Sequence, residues 1–587
     1  LSEIDHVLAR MDPDRSPVEK VGSHFQRYLP LYAFASVIAL IAVLIPLRRD
    51  DDTAKTQEAA AITSTEVDDA FASSTGETSE AADDAGTSAA GANTGTVAAP
   101  IDQGGSDVGK IVAGTGKTIA GFDCKTGVRQ MPWSDYANPC IAHFTGNNGG
   151  KTFRGVDEKT IRIGIRQPAV DAGDVTDTQA RAEGSATREE GIALFKKYAK
   201  YFETVFDLYG RKIQFVDFKS RVSNGIEEAQ SRGEEGACAD ATDLAETHKV
   251  FGVVGYNAAL QETQPFADCA TERKMFVPFG SPYFPESWYQ KKWHPYVWNL
   301  TQECERISKD VAEYTGKRLL NRPAKWALDP IYQKQERVFG TYVPDNDGYQ
   351  SCVDLFEKTL EKDYGGKVKH RFDYVLDVAR FPDQARQATI QFQAAGVNSL
   401  INACDTLSTR FLSESADDIN WGPEWFIIGV AGQDTDGAAR TFDQDIVDGH
   451  MFGMSQAGEY GKIEGKSGES YETWTKAFKG QAPARGYGSV YYFSLAFFMM
   501  LQAAGPLLTP DNIAKGLTAM PDGGGANGPL GTWSFADDHT AIDDAREIYW
   551  IANKRGSDGS LGAYIETYNG KRFRTGQWPK EEPPVYR

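Results

Sequence analysis

From residue 158 onward, short apolar runs alternate with longer segments of helical period, and no other feature restricts the fold as much. IRIGIRQP (161–168) and KIQFVDF (212–218) have the β-branched and aromatic content of strands. Between them Ile192, Phe195, Ala199, Phe202, Val205, Phe206 and Tyr209 recur at helical spacing. FGVVGY (251–256) and MFVPFG (275–280) follow as strands, with a helix predicted over 261–273. After VWNL (297–300) the pattern restarts. It predicts helix 303–318, strand AKWALD (324–329), helix 349–362, strand VKHRFDYVL (368–376), helix 382–395 and strands NSLINAC (398–404) and WFIIGV (425–430). Such alternation builds parallel sheets covered by helices. Two runs predict an α/β fold of two doubly wound parallel-sheet lobes. In open sheets of this kind ligands bind beyond the carboxyl ends of the strands, so two facing sheets make a cleft.

The chain before residue 157 has a different texture. Residues 1–28 are polar and of mixed charge. LPLYAFASVIALIAVLIPL (29–47) then runs without a charge, framed by Arg27 and by Arg48–Arg49. Nineteen helical residues cover roughly 28 Å, the thickness of a bilayer's hydrocarbon, so a transmembrane helix is predicted. The basic residues on its two sides nearly balance. The large cysteine-bearing region after the span is therefore what sets the orientation, with 1–28 cytoplasmic and the rest outside. No A-x-A site directly follows the run and about 28 polar residues precede it, so the span is read as an anchor rather than a cleaved signal. Residues 48–120 form a linker rich in Ala, Ser, Thr, Gly and Asp over 50–110, with Phe71 the one aromatic there. Disorder is predicted, with a reach of roughly 45 Å. Gly114-Thr115-Gly116-Lys117-Thr118 resembles the end of a phosphate-binding loop. However, Ile111 stands where a glycine is required and no strand precedes it.

A net charge of −20 leaves no basic surplus to neutralise phosphates, which argues against a nucleic-acid partner. The seven cysteines form no C-x-x-C pair and have no histidine at ligand spacing, so neither a metal site nor a cofactor is expected. Dispersed cysteines suit disulfides in an oxidising compartment. Cys124 and Cys140, with Gly, Pro and Asn between them, are predicted to staple a small extension over 121–156. Neither G-x-S-x-G nor H-E-x-x-H occurs, so a receptor is expected rather than a hydrolase.

Gly236-Ala237-Cys238-Ala239-Asp240, then FGVVGY, Thr263-Gln264-Pro265 and Cys269 follow one another in a recognisable order. So do PFGSPYFPE (278–286), VWNLTQECERISKDVAEY (297–314), GYGSVYYFSLAFFMMLQAAG (486–505), PDNIAKGLTAM (510–520) and GPLGTWSFADDHTAIDDAREIYWI (528–551). Over about 420 residues this order resembles the type I periplasmic binding proteins, the leucine/isoleucine/valine-binding family of ABC-transporter substrate-binding proteins. The resemblance implies a Cys238–Cys269 bridge. It also implies lobe 1 from 157–299 and 457–530, lobe 2 from 300–456 and 531–575, and closure about a hinge. The function it implies is capture of a small solute, an amino acid or related compound, for an importer whose permease would be a partner. A sensing or cell-surface assembly module on the same scaffold is the alternative.

Ligand contacts are then expected from Asn257 and Ala258 after FGVVGY, and from Ser281 and Tyr283 after MFVPFG. Gln302 at the lobe crossing, Tyr349 at a helix start and Asp405 after a strand complete the set. Asn257 and Ser281 also suit ordinary turns, Gln302 a hinge, Tyr349 helix packing, and Asp405 a helix cap. After WFIIGV the amino-acid receptors carry an acid for the ligand's ammonium. Here Gly429-Val430-Ala431-Gly432-Gln433 intervenes before Asp434, a departure from that pattern. Cys352 is open to pairing with Cys404 or with Cys304.

Overall fold

The computed structural model describes residues 110–169, 175–223, 233–255, 257, 260–457, 463–525 and 528–585. The predicted segment 1–28, the apolar run 29–47, nearly all of the linker and Ala258 lie outside them. Among the described residues no helix is long and apolar enough to cross a membrane.

The first run of βα units contains β1 (Thr160–Ala169), α1 (Val175–Glu183), α2 (Arg188–Phe202), β2 (Lys212–Ser223), α3 (Glu234–Thr242), β3 (Gly252–Val254) and α4 (Gln264–Glu272). The strands pair in parallel in the order β2-β1-β3. MFVPFG was expected as a further strand, but it continues the sheet only through single parallel bridges, Gly252–Phe276 and Val277–Val297. Pro278 has no amide to offer a ladder, although Val277 and Gly280 donate to Tyr296 and Trp298 carbonyls at 2.8 Å.

After the crossing come α5 (Cys304–Tyr314), β4 (Phe339–Pro344), α6 (Asp347–Tyr364), β5 (Val368–Tyr374), α7 (Phe381–Ala394), β6 (Ser399–Asn402), α8 (Thr406–Asp418), β7 (Glu424–Ile427) and β8 (Met451–Ser455). The chain continues through α9 (Gly468–Ala477), α10 (Tyr487–Ala503), α11 (Pro510–Thr518), β9 (Gly523–Gly524) and β10 (Thr532–Trp533). It ends with β11 (Ala545–Arg555), β12 (Leu561–Glu566) and β13 (Arg572–Phe573). The second sheet runs β12-β11-β8-β7-β6-β4-β5, with β13 on β11. Its β5, β4, β6, β7 and β8 are parallel, whereas β11 pairs antiparallel with β8, β12 and β13. The second lobe is thus built on the expected parallel sheet, extended at one edge by antiparallel strands.

AKWALD is not a strand. The first strand of this sheet is β4, and Trp326 lies in a buried turn, stacked on Phe452 at 4.8 Å. Its amide donates to Glu424 Oε2 rather than to a strand neighbour.

Each sheet has its own core. The first joins Ile161, Ile163 and Ile165 of β1 to Phe195, Phe202 and the aromatic face of α10, and α3 and α4 cover the other side. The second core is built around Leu400, Phe426, Phe452 and Trp550. Trp533, Phe535, Ala541 and Ile542 belong to the first core, whereas the second sheet resumes at Ala545. The chain therefore recrosses close to 543–544, later than the expected 531.

Disulfides join Cys124 to Cys140, Cys238 to Cys269 and Cys304 to Cys352, while Cys404 is a buried free thiol. Of the pairings left open, the one formed therefore ties α5 to α6. The extension docks on the first core through Tyr136, which packs against Trp533 at 4.3 Å and accepts the Leu530 amide at 2.7 Å. The Asp135 amide donates to Glu469 on α9 at 2.6 Å.

Candidate functional site

The loops that end β3, β4 and β6 turn into helix N-termini, and short polar side chains satisfy the first amides there. Thr263 caps α4, Asn346 caps α6 and Asp405 caps α8. All three line one cavity of about 870 Å³, within the range that encloses drug-sized ligands. Every described residue anticipated as a ligand contact lies on it: Asn257, Ser281, Tyr283, Gln302, Tyr349 and Asp405.

The local roles of these residues differ. Asn257 holds its turn, its Oδ1 accepting the Gln261 amide at 3.0 Å. The Ser281 carbonyl accepts the Tyr289 hydroxyl at 2.8 Å. Tyr283 of the first lobe stacks on Tyr349 of the second, centroids 4.2 Å apart and planes 26° off parallel, so these rings meet across the cleft. Asp405 accepts from the Ser408 amide at 2.9 Å, the Ser408 hydroxyl at 2.6 Å and the Tyr374 hydroxyl at 2.5 Å. Burial pushes its carboxyl above the usual carboxylate range.

Gln302 sits where the chain first crosses. Its amide N–H donates to Gln456 Oε1 at 2.9 Å, tying that crossing to the second, whereas its side-chain Nε2 is buried without a hydrogen-bond partner. Arg572 holds the second and third crossings together, donating to the Gln456 carbonyl at 2.6 Å and pairing with Asp544 at 2.6 Å. Behind Glu262 on the cavity wall lies Arg166 of β1, fully buried, which reaches Asp240 at 3.0 Å and Glu262 at 3.2 Å and lies 4.3 Å over the Phe266 ring.

Several cavity residues were not anticipated. Helix α1 reaches over the cleft: Gln179 donates to the Ala431 carbonyl at 2.8 Å, and Glu183 accepts the Thr406 hydroxyl at 2.5 Å. Burial, reinforced by Asp405 and Asp434, pushes the Glu183 carboxyl up to about 7. Asp434 accepts the Ser455 hydroxyl at 2.6 Å. Tyr492 of α10 also lines the cavity, and its buried hydroxyl has no partner. Glu183 lies in a polar stretch without periodic pattern, and Tyr492 reads as one more apolar face residue. Asp434 was marked only as the nearest acid beyond β7.

No family model matches this chain, and no curated protein matches it. Among solved structures it is similar to a fatty acid ABC transporter substrate-binding protein from Thermomonospora curvata. That likeness has 13% identity and a TM-score of 0.50, over 73% of this chain and 96% of that one. It is also similar to an ABC-transporter solute-binding protein from R. palustris in complex with 4-hydroxybenzoate, with 14% identity and a TM-score of 0.49 over 72% and 99% of the chains. A third similar structure is a branched-chain amino acid transporter substrate-binding protein from Streptococcus pneumoniae in complex with isoleucine, with 16% identity and a TM-score of 0.44 over 70% and 100%. The chain has the type I periplasmic binding protein fold: two α/β lobes with parallel sheets, met by three crossings.

Proposed function

We propose that this chain is an extracytoplasmic solute-binding protein that captures a small organic solute between its lobes and delivers it to an ABC-type importer. The observation that carries this reading is the cavity of about 870 Å³ walled by strand ends and helix N-termini of both sheets. A solute there touches both lobes only when they are closed, so its binding energy favours closure. Three disulfides suit an oxidising compartment outside the cytoplasm. The fold shared with a transporter substrate-binding protein supports transport over catalysis.

In this reading residues 29–47 anchor the protein in the membrane, and 48–109 space the lobes away from it. The spacer ends earlier than the expected 120, because residues 112–117 pair with the extension through Gly114 to Cys140 and His143 to Lys117. Lobe 1 comprises 157–299 and 457–543, and lobe 2 comprises 300–456 and 544–575. Asn257, Ala258, Ser281, Tyr283, Gln302, Tyr349 and Asp405 contact the solute, joined by Glu183, Asp434 and Tyr492. The test is a thermal-shift screen of the full-length chain against amino acids, amides, amines, short peptides and aromatic and fatty acids. A solute at a hundred times its dissociation constant stabilises the chain by about 2.7 kcal/mol, a visible rise in melting temperature. A rise that Gln302→Leu removes supports capture. No rise across the panel from a well-folded chain turns the reading toward a sensing or assembly module.

A further inference from the structure

Taking the cleft as a solute site, the inventory of charge on its wall narrows what the solute is. Glu183, Asp405 and Asp434 all line the cavity, and Glu183 is close enough to feel both aspartates. Their hydrogen-bond donors are neutral: the Thr406 hydroxyl on Glu183, the Tyr374 and Ser408 hydroxyls with the Ser408 amide on Asp405, and the Ser455 hydroxyl with the Ala457 amide on Asp434. None of the three is ion-paired to a described residue.

The basic residues on the same wall are committed or peripheral. Arg440 pairs with Asp558 at 2.6 Å and Arg546 with Glu566. Arg485 and Arg555 are exposed. No lysine or histidine lines the cavity among the described residues. A carboxylate-bearing solute would therefore enter a chamber whose unpaired acids repel it and whose buried cations are already taken.

Two further groups point to a ligand independently of the acids. The Gln302 side-chain amide nitrogen and the Tyr492 hydroxyl are both buried, both on the cavity wall and both without a partner. A buried polar group costs stability unless something meets it. The wall also presents apolar and aromatic surface, including the Tyr283–Tyr349 stack, Leu376 and Phe493, while of its further acids Glu262, Asp436 and Asp558 are paired with Arg166 or Arg440. Aromatic faces accept both hydrocarbon and cations.

We propose that the solute is an organic cation, an amine carrying an aromatic or aliphatic body and no carboxylate, with its ammonium among Glu183, Asp405 and Asp434. The Gln302 Nε2, a donor only, meets a hydroxyl or ether oxygen on the solute's body, and the Tyr492 hydroxyl donates or accepts there. An ammonium supplies the counter-charge the three carboxyls lack, so the site discriminates by charge before shape. The elevated Glu183 carboxyl fits this account, because a cation beside it favours its ionised form.

The test is isothermal titration calorimetry of the full-length chain at pH 7.5 with three probes that share one skeleton: phenylbutylamine, phenylbutanol and phenylbutyrate. The amine is expected to bind about tenfold tighter than the alcohol, with no heat from the acid. Glu183→Gln and Asp434→Asn are each expected to cut the amine's preference over the alcohol from about tenfold toward one, and the cooperative melting transition of each variant serves as the control for misfolding. Binding of the acid as tightly as the amine, or no preference for the amine over the alcohol, overturns the cation assignment. If none of the three binds but a neutral or anionic solute of the wider screen does, the cation assignment fails and capture stands. If nothing binds at millimolar concentration, both fail.

Discussion

Replacing Arg166 with methionine isolates the buried ion cluster that lies behind Glu262 on the cavity wall. The guanidinium is fully buried and serves two acids of the first lobe, Asp240 at 3.0 Å and Glu262 at 3.2 Å, besides the Ser220 hydroxyl at 3.0 Å. Methionine keeps most of the volume over the Phe266 ring but leaves both carboxyls without this cation. Breaking a buried pair by removing one partner costs about 3–5 kcal/mol, mostly the penalty of the charge left behind. Asp240 retains Arg221 at 2.7 Å, which is half exposed and compensates weakly, so the lower half of that range is expected. With a urea slope of roughly 3 kcal/mol per molar for a chain this size, the midpoint falls by about 1 M. The triple variant Arg166→Met, Asp240→Asn, Glu262→Gln removes charge and counter-charge together and is expected to recover most of the loss. A single variant that loses less than about 1 kcal/mol, or a triple variant no better than the single, refutes the reasoning.

Other consequences are as direct. A double-mutant cycle of Tyr283→Ala and Tyr349→Ala should give a coupling of about 1 kcal/mol in solute affinity, roughly fivefold in Kd, because the stacked rings meet only with the lobes closed. Removing the Cys304–Cys352 bridge by Cys352→Ser opens a 48-residue loop and should cost about 4 kcal/mol in a melting or urea experiment. Buried Glu303, Asp310 and Glu469 are each pushed up to about 7 by desolvation. The folded chain therefore keeps these protons to higher pH than the unfolded chain. Their contribution is most favourable near the unfolded carboxylate value and is lost as pH rises through 7. The melting temperature should accordingly fall from pH 5.5 to pH 8, less steeply in Glu469→Gln.

Much of this architecture is legible in the sequence because parallel strands carry dense β-branched and aromatic runs, as in IRIGIRQP, and the intervening helices keep their period. FGTYVP was hidden because all six residues are buried, so no alternation marks it, and Gly340 and Pro344 argue against a strand. AKWALD imitated a strand because Ala324, Trp326 and Ala327 are buried, although a turn buries them. The cleft positions after the strands follow from topology alone. Glu183 and Tyr492 do not, since each enters the cavity through tertiary packing that no local pattern records. The late recrossing at 543–544 is of the same kind: Trp533 and Phe535 look like any strand residues until the core they join is known.

A crystal structure of the chain grown with the best solute from the screen tests the central claim most directly. The account predicts the solute between the sheets, touching Gln302 and Tyr492 and contacting groups from both lobes. A solute held by one lobe alone, or bound on the outer surface with the cleft unchanged, contradicts it.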